Sequence, residues 1–372
     1  MNVPVPPPGE RPAPGRDRIV RIGTRVVRAP YRRPFQISSG VSTELISLVA
    51  EVETADGAIG VGETSPMTAY TGETLAGVAA AVEGHLAPAL IGRDPLDLAG
   101  AHLAMDAALR GQRVAKAALD IALYDLAGRV AGWPVHVLLG GRVRDRVPIA
   151  WVVGLGTLDE MAEEAARYAG LGFRHIKVKG GEDPARDLET VRAVRAALPP
   201  DAELALDANE GYDASTALPA LIRMADAGLS LLEQPVPHWD LAGMARLRER
   251  VGIRVMADES VQSAQDAMEI VRRGAADVLN IKVLKVGGLY RALRVAAVAE
   301  AAGLAVKIGS MPELGVATLA ALHLAAALPG ATVPADLVGP LMVRDEPLAP
   351  AAFARADGWV AVPDAPGLGH AV

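Results

Sequence analysis

Short apolar runs alternate with Ala-rich amphipathic stretches along the second half of the chain, from residue 147 onward. Runs this uniformly apolar are typical of strands buried on both faces, as in a parallel sheet. The stretches between them have helical spacing, so the pattern predicts repeated β/α units. The eight apolar runs are PIAWVVG at 148–154, HIKVK at 175–179, ELALD at 203–207, LSLLE at 229–233, RVMAD at 254–258, LNIK at 279–282, AVKIGS at 305–310 and TVPAD at 332–336.

Eight such units favour a closed TIM-type (β/α)8 barrel over an open doubly wound sheet. An open sheet is also expected to carry a Gly-rich phosphate-binding turn after its first strand, and none follows the run at 148–154. We therefore predict an α/β fold with the barrel at residues 147–344.

The first part of the chain has a different pattern. Residues 19–62 alternate between apolar and polar with period two, and ADG at 55–57 marks a turn, which predicts an antiparallel sheet. Residues 73–130 have helical spacing instead. We expect an α+β domain at 19–146, a disordered proline-rich tail at 1–18, and a Pro/Gly-rich segment at 345–372 that packs back on the first domain.

Composition narrows the class of function. The chain has 372 residues, 51% of them hydrophobic, and a formal net charge of −7. The acidic balance argues against a nucleic-acid or anionic-membrane partner, and the absence of cysteine excludes disulfides and thiolate chemistry. Neither an apolar stretch of about 20 residues nor the apolar core of a signal peptide occurs, so we expect a cytoplasmic protein.

Three acidic residues end three consecutive predicted strands: Asp207, Glu233 and Asp258. The carboxyl ends of barrel strands face one mouth, and neighbouring strands lie about 5 Å apart, so the three carboxylates can converge. Such close anions repel each other unless a cation neutralises them. Oxygen ligands without His or Cys favour Mg²⁺, or Mn²⁺, over zinc. The alternative is that each acid caps the helix that follows it.

Lysines end the second and the sixth predicted strands, Lys179 and Lys282, on opposite sides of the barrel. A partly desolvated lysine near a cation loses much of its preference for the charged form and can act as a base. Two facing lysines can remove a proton from one face of a carbon and return it to the other. Lys177 has the same strand parity as Lys179 and points inward one layer deeper, where like-charge repulsion would favour neutral Lys179. The alternative is a solvated charge at each strand end.

These motifs resemble the enolase superfamily, in its muconate-lactonizing-enzyme subgroup. The matching segments are IKVKGG at 176–181, LDAN at 206–209, LLEQP at 231–235, MADES at 256–260, NIKVLKVGG at 280–288 and AALDIALYDLAGR at 117–129. The resemblance implies a TIM-type barrel, in its modified β7α form, beneath a capping domain. It also implies that the three acids bind Mg²⁺, supported by Asn209 and Glu259, and that the two strand-end lysines are the acid/base pair. The metal would hold the substrate carboxylate and stabilise the enolate.

The branch of the superfamily follows from the seventh strand. The mandelate-racemase branch needs a histidine at the end of that strand, and here the segment reads GSMPE. The sequence therefore resembles the two-lysine branch, which includes racemases, epimerases, cycloisomerases and dehydratases. Oligomers are common in the superfamily, and we expect a homo-oligomer by analogy.

Substrate specificity is expected in the capping loops at 31–40 and 65–74 and at the ends of strands seven and eight. TGET at 71–74 resembles the corresponding loop of dipeptide epimerases, but their Asp-x-Asp at strand eight is replaced by Asp336-Leu337-Val338. A free ammonium would lose one anionic partner, which favours an N-alkylated, cyclic or N-acyl amino acid. Trp151 faces either the mouth or the core, and Asp336 either binds substrate or belongs to a loop. The candidate substrate-binding residues are Tyr70, Trp151, Ser310, Glu313 and Asp336.

The leading hypothesis is therefore Mg²⁺-dependent removal of the proton α to a carboxylate, with racemisation or epimerisation of an amino-acid derivative as the outcome. The substrate would be a small carboxylate that is N-substituted, cyclic or dipeptide-like. Muconate-type cycloisomerisation, which needs one lysine for proton transfer, is the alternative, together with dehydration. A non-catalytic barrel is a third hypothesis, against which the intact acids and lysines argue.

Overall fold

The computed structural model describes residues 18–37, 40–353 and 357–370. The predicted tail at 1–18 lies outside the described residues except for Arg18. In the first domain, three strands form an antiparallel sheet in the order β1-β2-β3, as the period-two pattern predicts. These strands are β1 (Ile19–Ile37), β2 (Gly40–Thr54) and β3 (Ile59–Thr64).

Helices follow the antiparallel sheet, with one π-helical turn at Val82–Leu86. The longest of them packs along β3 so closely that a Cβ atom at Gly62 would lie 1.9 Å from the carbonyl oxygen of Ala118. Glycine at this position therefore permits the contact. The helices are α1 (Thr68–Thr71), α2 (Leu75–Ala81), α3 (Ala87–Leu90), α4 (Leu98–Ala108), α5 (Arg113–Ala131) and α6 (Val135–Leu138).

A second, eight-stranded parallel sheet forms the barrel, which confirms the predicted fold class. Its strands follow one another in chain order, and a parallel bridge between Ile149 and Ala335 joins the first strand region to the last. After β4 (Arg146–Pro148), barrel strands one to eight are β5 (Trp151–Val153), β6 (His175–Lys179), β7 (Glu203–Asp207), β8 (Leu231–Glu233), β9 (Arg254–Ala257), β10 (Val278–Lys282), β11 (Ala305–Gly309) and β12 (Ala331–Val333).

Helices alternate with the barrel strands, and local signals set where they begin. Thr157 and Glu160 form a capping box at the start of the first, and Asp183, Asp213 and Asp240 cap others. The helices are α7 (Leu158–Gly170), α8 (Pro184–Ala197), α9 (Ala214–Asp226), α10 (Leu241–Arg250), α11 (Ala264–Arg273), α12 (Val283–Val286), α13 (Leu289–Ala301), α14 (Gly315–Ala327) and α15 (Gly339–Met342).

The described C-terminal residues lie against both parts of the chain. After a 3₁₀ turn at Pro350–Phe353, β13 (Trp359–Ala361) pairs antiparallel with β4. Further on, the backbone of Leu368 donates to Asp125 on α5, at 2.7 Å. None of the helices in the described ranges combines the length and the apolar character needed to cross a membrane.

Two contacts bring the first domain onto the barrel mouth. Buried Glu63, at the end of β3, accepts hydrogen bonds from the backbone N–H groups of Leu314 and Ala317, at 2.6 and 2.9 Å. A carboxylate at this point satisfies donors at the start of α14, which have no partner within the helix. Tyr70, on α1, reaches the ends of strands five and six. The first domain thereby forms one wall of the cleft above the barrel.

Candidate active site

The three acids predicted to bind a metal lie at the ends of adjacent strands. Asp207 and Glu233 are direct neighbours in the register of β7 and β8, and Asp258 directly follows β9. All three side chains are fully buried. Buried carboxylates are unstable unless they are paired, so their partners determine what the site can do.

Lysine ammonium groups are those partners. Lys179 donates to Asp207 at 2.7 Å, Lys177 donates to Glu233 at 2.9 Å, and Lys282 lies 2.7 Å from Asp258. Every candidate metal ligand therefore contacts a lysine that the sequence places in the same mouth.

The three carboxylates face lysine ammonium groups and are not arranged around one common point. Within the described ranges, no three or more Asp, Glu, His or Cys side chains are grouped so that they could hold a metal ion. The donor set nevertheless fits a hard divalent cation, because all three donors are carboxylates buried at neighbouring strand ends. Binding a cation here requires that the carboxylates exchange their lysine contacts for it.

Burial and charge act in opposite directions on these groups. Burial raises the pKa of Asp207 and Asp258, but the neighbouring lysines outweigh it and hold both below the ordinary value. Burial and the charge of Asp207 raise the pKa of Glu233. Burial lowers the pKa of Lys282, but the charges of Asp258 and Glu233 outweigh this and place it above the ordinary value. Without a cation, the acids hold Lys282 in its charged form.

Lys177 lies one layer deeper than Lys179, as its parity predicts, and it is surrounded by acids. Its ammonium contacts carboxylates of Glu233, of Asp336 at 2.5 Å and of Asp207 at 3.4 Å. These anions raise the pKa of Lys177 well above the ordinary value, against the effect of burial. Its charge is therefore compensated locally by three carboxylates.

Asn209 and Glu259 stand beside the acids. Asn209 accepts from Lys179 at 2.8 Å and donates to Glu259 at 2.9 Å. Burial, with the charge of Asp258, raises the pKa of Glu259 to about 8. Asn209, Glu210 and Gln234 have φ angles of 41°, 69° and 32°, a region that non-glycine residues rarely adopt. Backbone strain is thus concentrated in the loops that follow β7 and β8.

A cleft opens above these residues. Both Lys179 and Lys282 line it, together with Tyr70, Ser310 and Asp336. Tyr70 donates to Asp258 and accepts from Lys282 at 3.2 Å, so this candidate substrate-binding residue also contacts the proposed metal and base residues. The Ser310 hydroxyl donates to the carbonyl oxygen of Asp336 at 2.5 Å.

Two other candidates lie outside the cleft lining. Trp151 stacks on Tyr168, with ring centroids 3.3 Å apart, and its indole N–H donates to Glu164 at 2.8 Å. Since Tyr168 and Glu164 belong to α7, Trp151 faces the surrounding helices, and the expectation that it contacts substrate is not supported. Glu313 is buried beside the mouth, where burial and the charge of Glu63 raise its pKa well above the ordinary value.

Two family models match the chain, one for each part of the fold. "Mandelate racemase / muconate lactonizing enzyme, N-terminal domain" covers residues 21–140, and "Enolase C-terminal domain-like" covers residues 160–372. The chain belongs to the mandelate racemase/muconate lactonizing enzyme family. It is an isomerase of the enolase superfamily, in the muconate-lactonizing-enzyme subgroup, as the sequence motifs indicate.

Relatives that catalyse different reactions have similar sequence identity to this chain. Muconate cycloisomerase 1 of Rhodococcus opacus is 37% identical over 94% of this chain and 95% of its own length. N-succinyl-L-Arg/Lys racemase of Bacillus cereus is 35% identical over 83% and 84%, respectively. The structure of a dipeptide epimerase from Enterococcus faecalis, complexed with Mg and L-Leu-L-Tyr, matches with a TM-score of 0.92 and 36% identity, over 95% of this chain and 100% of that one. Relatives of similar sequence identity therefore act on different substrates.

Sequence reasoning missed three buried residues of the candidate active site. Lys285 donates to Asp258 at 2.5 Å, Asn280 donates to Glu233 at 2.7 Å, and Lys307 pairs with Asp336 at 2.7 Å. Strand parity carried a signal for two of them. Asn280 lies two residues before Lys282, and it is in register with Lys307 on the next strand. Lys285 follows the strand on α12, where no such periodicity applies.

Proposed function

We propose that this enzyme removes the proton α to a carboxylate and returns a proton to the opposite face, so that it racemises or epimerises an amino-acid derivative. One observation carries the proposal: Lys179 and Lys282 line the same cleft from opposite sides of the barrel. Their strands, β6 and β10, are separated by three others in an eight-stranded sheet. A substrate held between them presents one face to each ammonium group.

We further propose that Asp207, Glu233 and Asp258 hold Mg²⁺, with Mn²⁺ as a possible substitute. Bound there, the ion would hold the substrate carboxylate and stabilise the negative charge that develops as the α-proton leaves. Support comes from the buried all-oxygen donor set and from the related epimerase structure, which contains Mg.

The lysines change partners in this proposal. When Asp207 and Asp258 ligate a cation, Lys179 and Lys282 lose the carboxylates that they now contact. The lysine on one face of the substrate then acts in its neutral form and takes the α-proton on its Nζ atom. The opposite lysine, in its ammonium form, gives a proton from Nζ to the other face. Starting from the other enantiomer, the two lysines exchange roles.

Deuterium exchange tests this proposal directly. The protein is incubated in D₂O with Mg²⁺ and each of a set of proline derivatives, dipeptides and N-acyl amino acids, and deuterium at the α-carbon is followed by NMR. A metal-chelated sample is the control. We expect Mg²⁺-dependent exchange and loss of optical activity with at least one class. Absence of exchange across the whole set would refute the proposal.

Cycloisomerisation is the second candidate, favoured by the 37% identity to muconate cycloisomerase 1. It needs one proton transfer, so only one of the two lysines would be essential. Consumption of cis,cis-muconate without α-proton exchange in any amino-acid derivative would favour this function over racemisation.

A further inference from the structure

Asp336 is held between two buried lysines. Its two carboxylate oxygens lie 2.5 Å from the ammonium of Lys177 and 2.7 Å from that of Lys307. All three side chains are at most 5% exposed. Burial raises the pKa of Asp336, but the two lysines outweigh this and hold it at about 2. The carboxylate is therefore charged and already neutralised inside the protein.

Lys307 is the component of this arrangement that the proposed proton transfer does not use. It lies in the middle of β11, in register with Asn280 on β10, within an otherwise apolar strand. A buried lysine is costly unless a carboxylate accompanies it. Asp336 is its ion-pair partner among the described residues, so the two residues form one unit.

The cleft beside Asp336 has little free negative charge. Val338, two residues on, is apolar and lines the cleft with Val152 and Met342. Among the other acids of the lining, Glu210 accepts hydrogen bonds from the backbone N–H and ring of His238. The remaining acid, Glu259, is buried and accepts a hydrogen bond from Asn209 at 2.9 Å.

We propose that Lys307 is a specificity residue that cancels the charge of Asp336. It thereby restricts the site to amino acids whose α-nitrogen is acylated and whose acyl group carries no ammonium. This rests on the function proposed above. A substrate ammonium on this side would have to give up its water without gaining a free anion, and it would approach Lys177, which lines the cleft. An uncharged acyl group incurs neither cost and contacts the apolar wall instead.

One pair of compounds isolates the ammonium. N-acetyl-L-leucine and glycyl-L-leucine differ only in the amine on the acetyl carbon. For both, α-deuterium exchange is measured with Mg²⁺, and binding is measured by calorimetry. We expect N-acetyl-L-leucine to be preferred by at least about tenfold in both measurements, which corresponds to about 1.4 kcal/mol. Equal exchange rates and affinities for the two compounds, or a preference for glycyl-L-leucine, would overturn the inference.

The two measurements separate this inference from the proposed function. Preferential binding of N-acetyl-L-leucine with no exchange of either compound would refute the racemase function for this class and support the specificity inference. Exchange of both compounds at equal rates would support the racemase function and refute the specificity inference. Failure of both compounds to bind would overturn the specificity inference.

Two variants test Lys307 itself. Lys307→Met removes one partner of Asp336, and Val338→Asp adds an anion while Lys307 stays in place. Each should shift the preference toward glycyl-L-leucine by about tenfold, whereas Lys307→Arg, which keeps the charge, should not. Because the readout is a ratio between two compounds on one protein, a partial loss of folded protein does not alter it. An unchanged ratio in Lys307→Met would show that Lys307 has no role in specificity, and Val338→Asp is the control which shows that an added anion shifts the ratio.

Discussion

Removing each strand-end lysine in turn gives the most informative test of the proposed proton transfer. If Lys179 and Lys282 serve opposite faces, Lys179→Ala and Lys282→Ala should each abolish racemisation while leaving α-proton exchange with one enantiomer. The enantiomer that still exchanges should differ between the two variants. Loss of a positioned base costs about 10²–10⁴ in rate, which corresponds to about 3–5 kcal/mol of barrier.

The structure indicates that both variants fold. In Lys282→Ala, Asp258 keeps its contact with Lys285 at 2.5 Å and the hydroxyl of Tyr70. In Lys179→Ala, Asp207 keeps Lys177 at 3.4 Å. Complete loss of a buried charge partner costs about 3–5 kcal/mol, so with one partner retained we expect a loss of stability below this range.

The assay is NMR-detected exchange in D₂O, started separately from each enantiomer of a substrate found in the screen. Calorimetric titration with Mg²⁺ is the control, because a variant that still binds the ion has kept its acids in place. Racemisation within about tenfold of the unmodified rate in either variant, well short of the loss expected for a missing base, would refute the two-base arrangement. So would loss of exchange with both enantiomers in a variant that still binds Mg²⁺.

Three further expectations concern the metal, the domain contact and pH. Mg²⁺ at 100 times its Kd should stabilise the protein by about 2.7 kcal/mol, and Glu233→Gln should reduce this gain in thermal unfolding. Asp120→Ala should cost at least about 2–6 kcal/mol in urea unfolding, because two backbone N–H groups at the start of α13 lose their acceptor and buried His102 loses its partner. Asp97→Ala, at the exposed cap of α4, should cost about 1 kcal/mol. Burial lowers the pKa of His323 to about 4 from 6.5, so stability should be full above pH 6.5 and fall toward pH 4, with a shallower fall in His323→Gln.

The residues that sequence reasoning located correctly are those whose position follows from strand periodicity. Period two places Lys177 and Lys179 on the same inward face, and consecutive strand ends bring Asp207 and Glu233 side by side in register. In a short strand, the alternation of side chains does not determine which of them point into the barrel. Strand β5 has three residues, and Trp151 faces the helices rather than the mouth.

Contacts between distant segments could not be obtained from local pattern. Tyr70 meets Asp258 across 188 positions of sequence, and their contact depends on how the first domain lies on the barrel. The pairing of Lys307 with Asp336 needs the register between neighbouring strands as well as the parity of each one. Sequence identified the acids and lysines at the strand ends, while the structure was needed to show which of them neutralise each other.

The pairing of charges in the mouth explains why its substrate should be an anion. Each of the four buried carboxylates contacts at least one of five buried or nearly buried lysines. These ion pairs keep the charges compatible with burial when no cation is present. A divalent cation on three of the acids would leave the mouth with excess positive charge. The substrate carboxylate and the charge that develops at its α-carbon would offset this excess, so the lysines that stabilise the metal-free fold would also favour the proposed reaction. The carboxylates are Asp207, Glu233, Asp258 and Asp336, and the lysines are Lys177, Lys179, Lys282, Lys285 and Lys307.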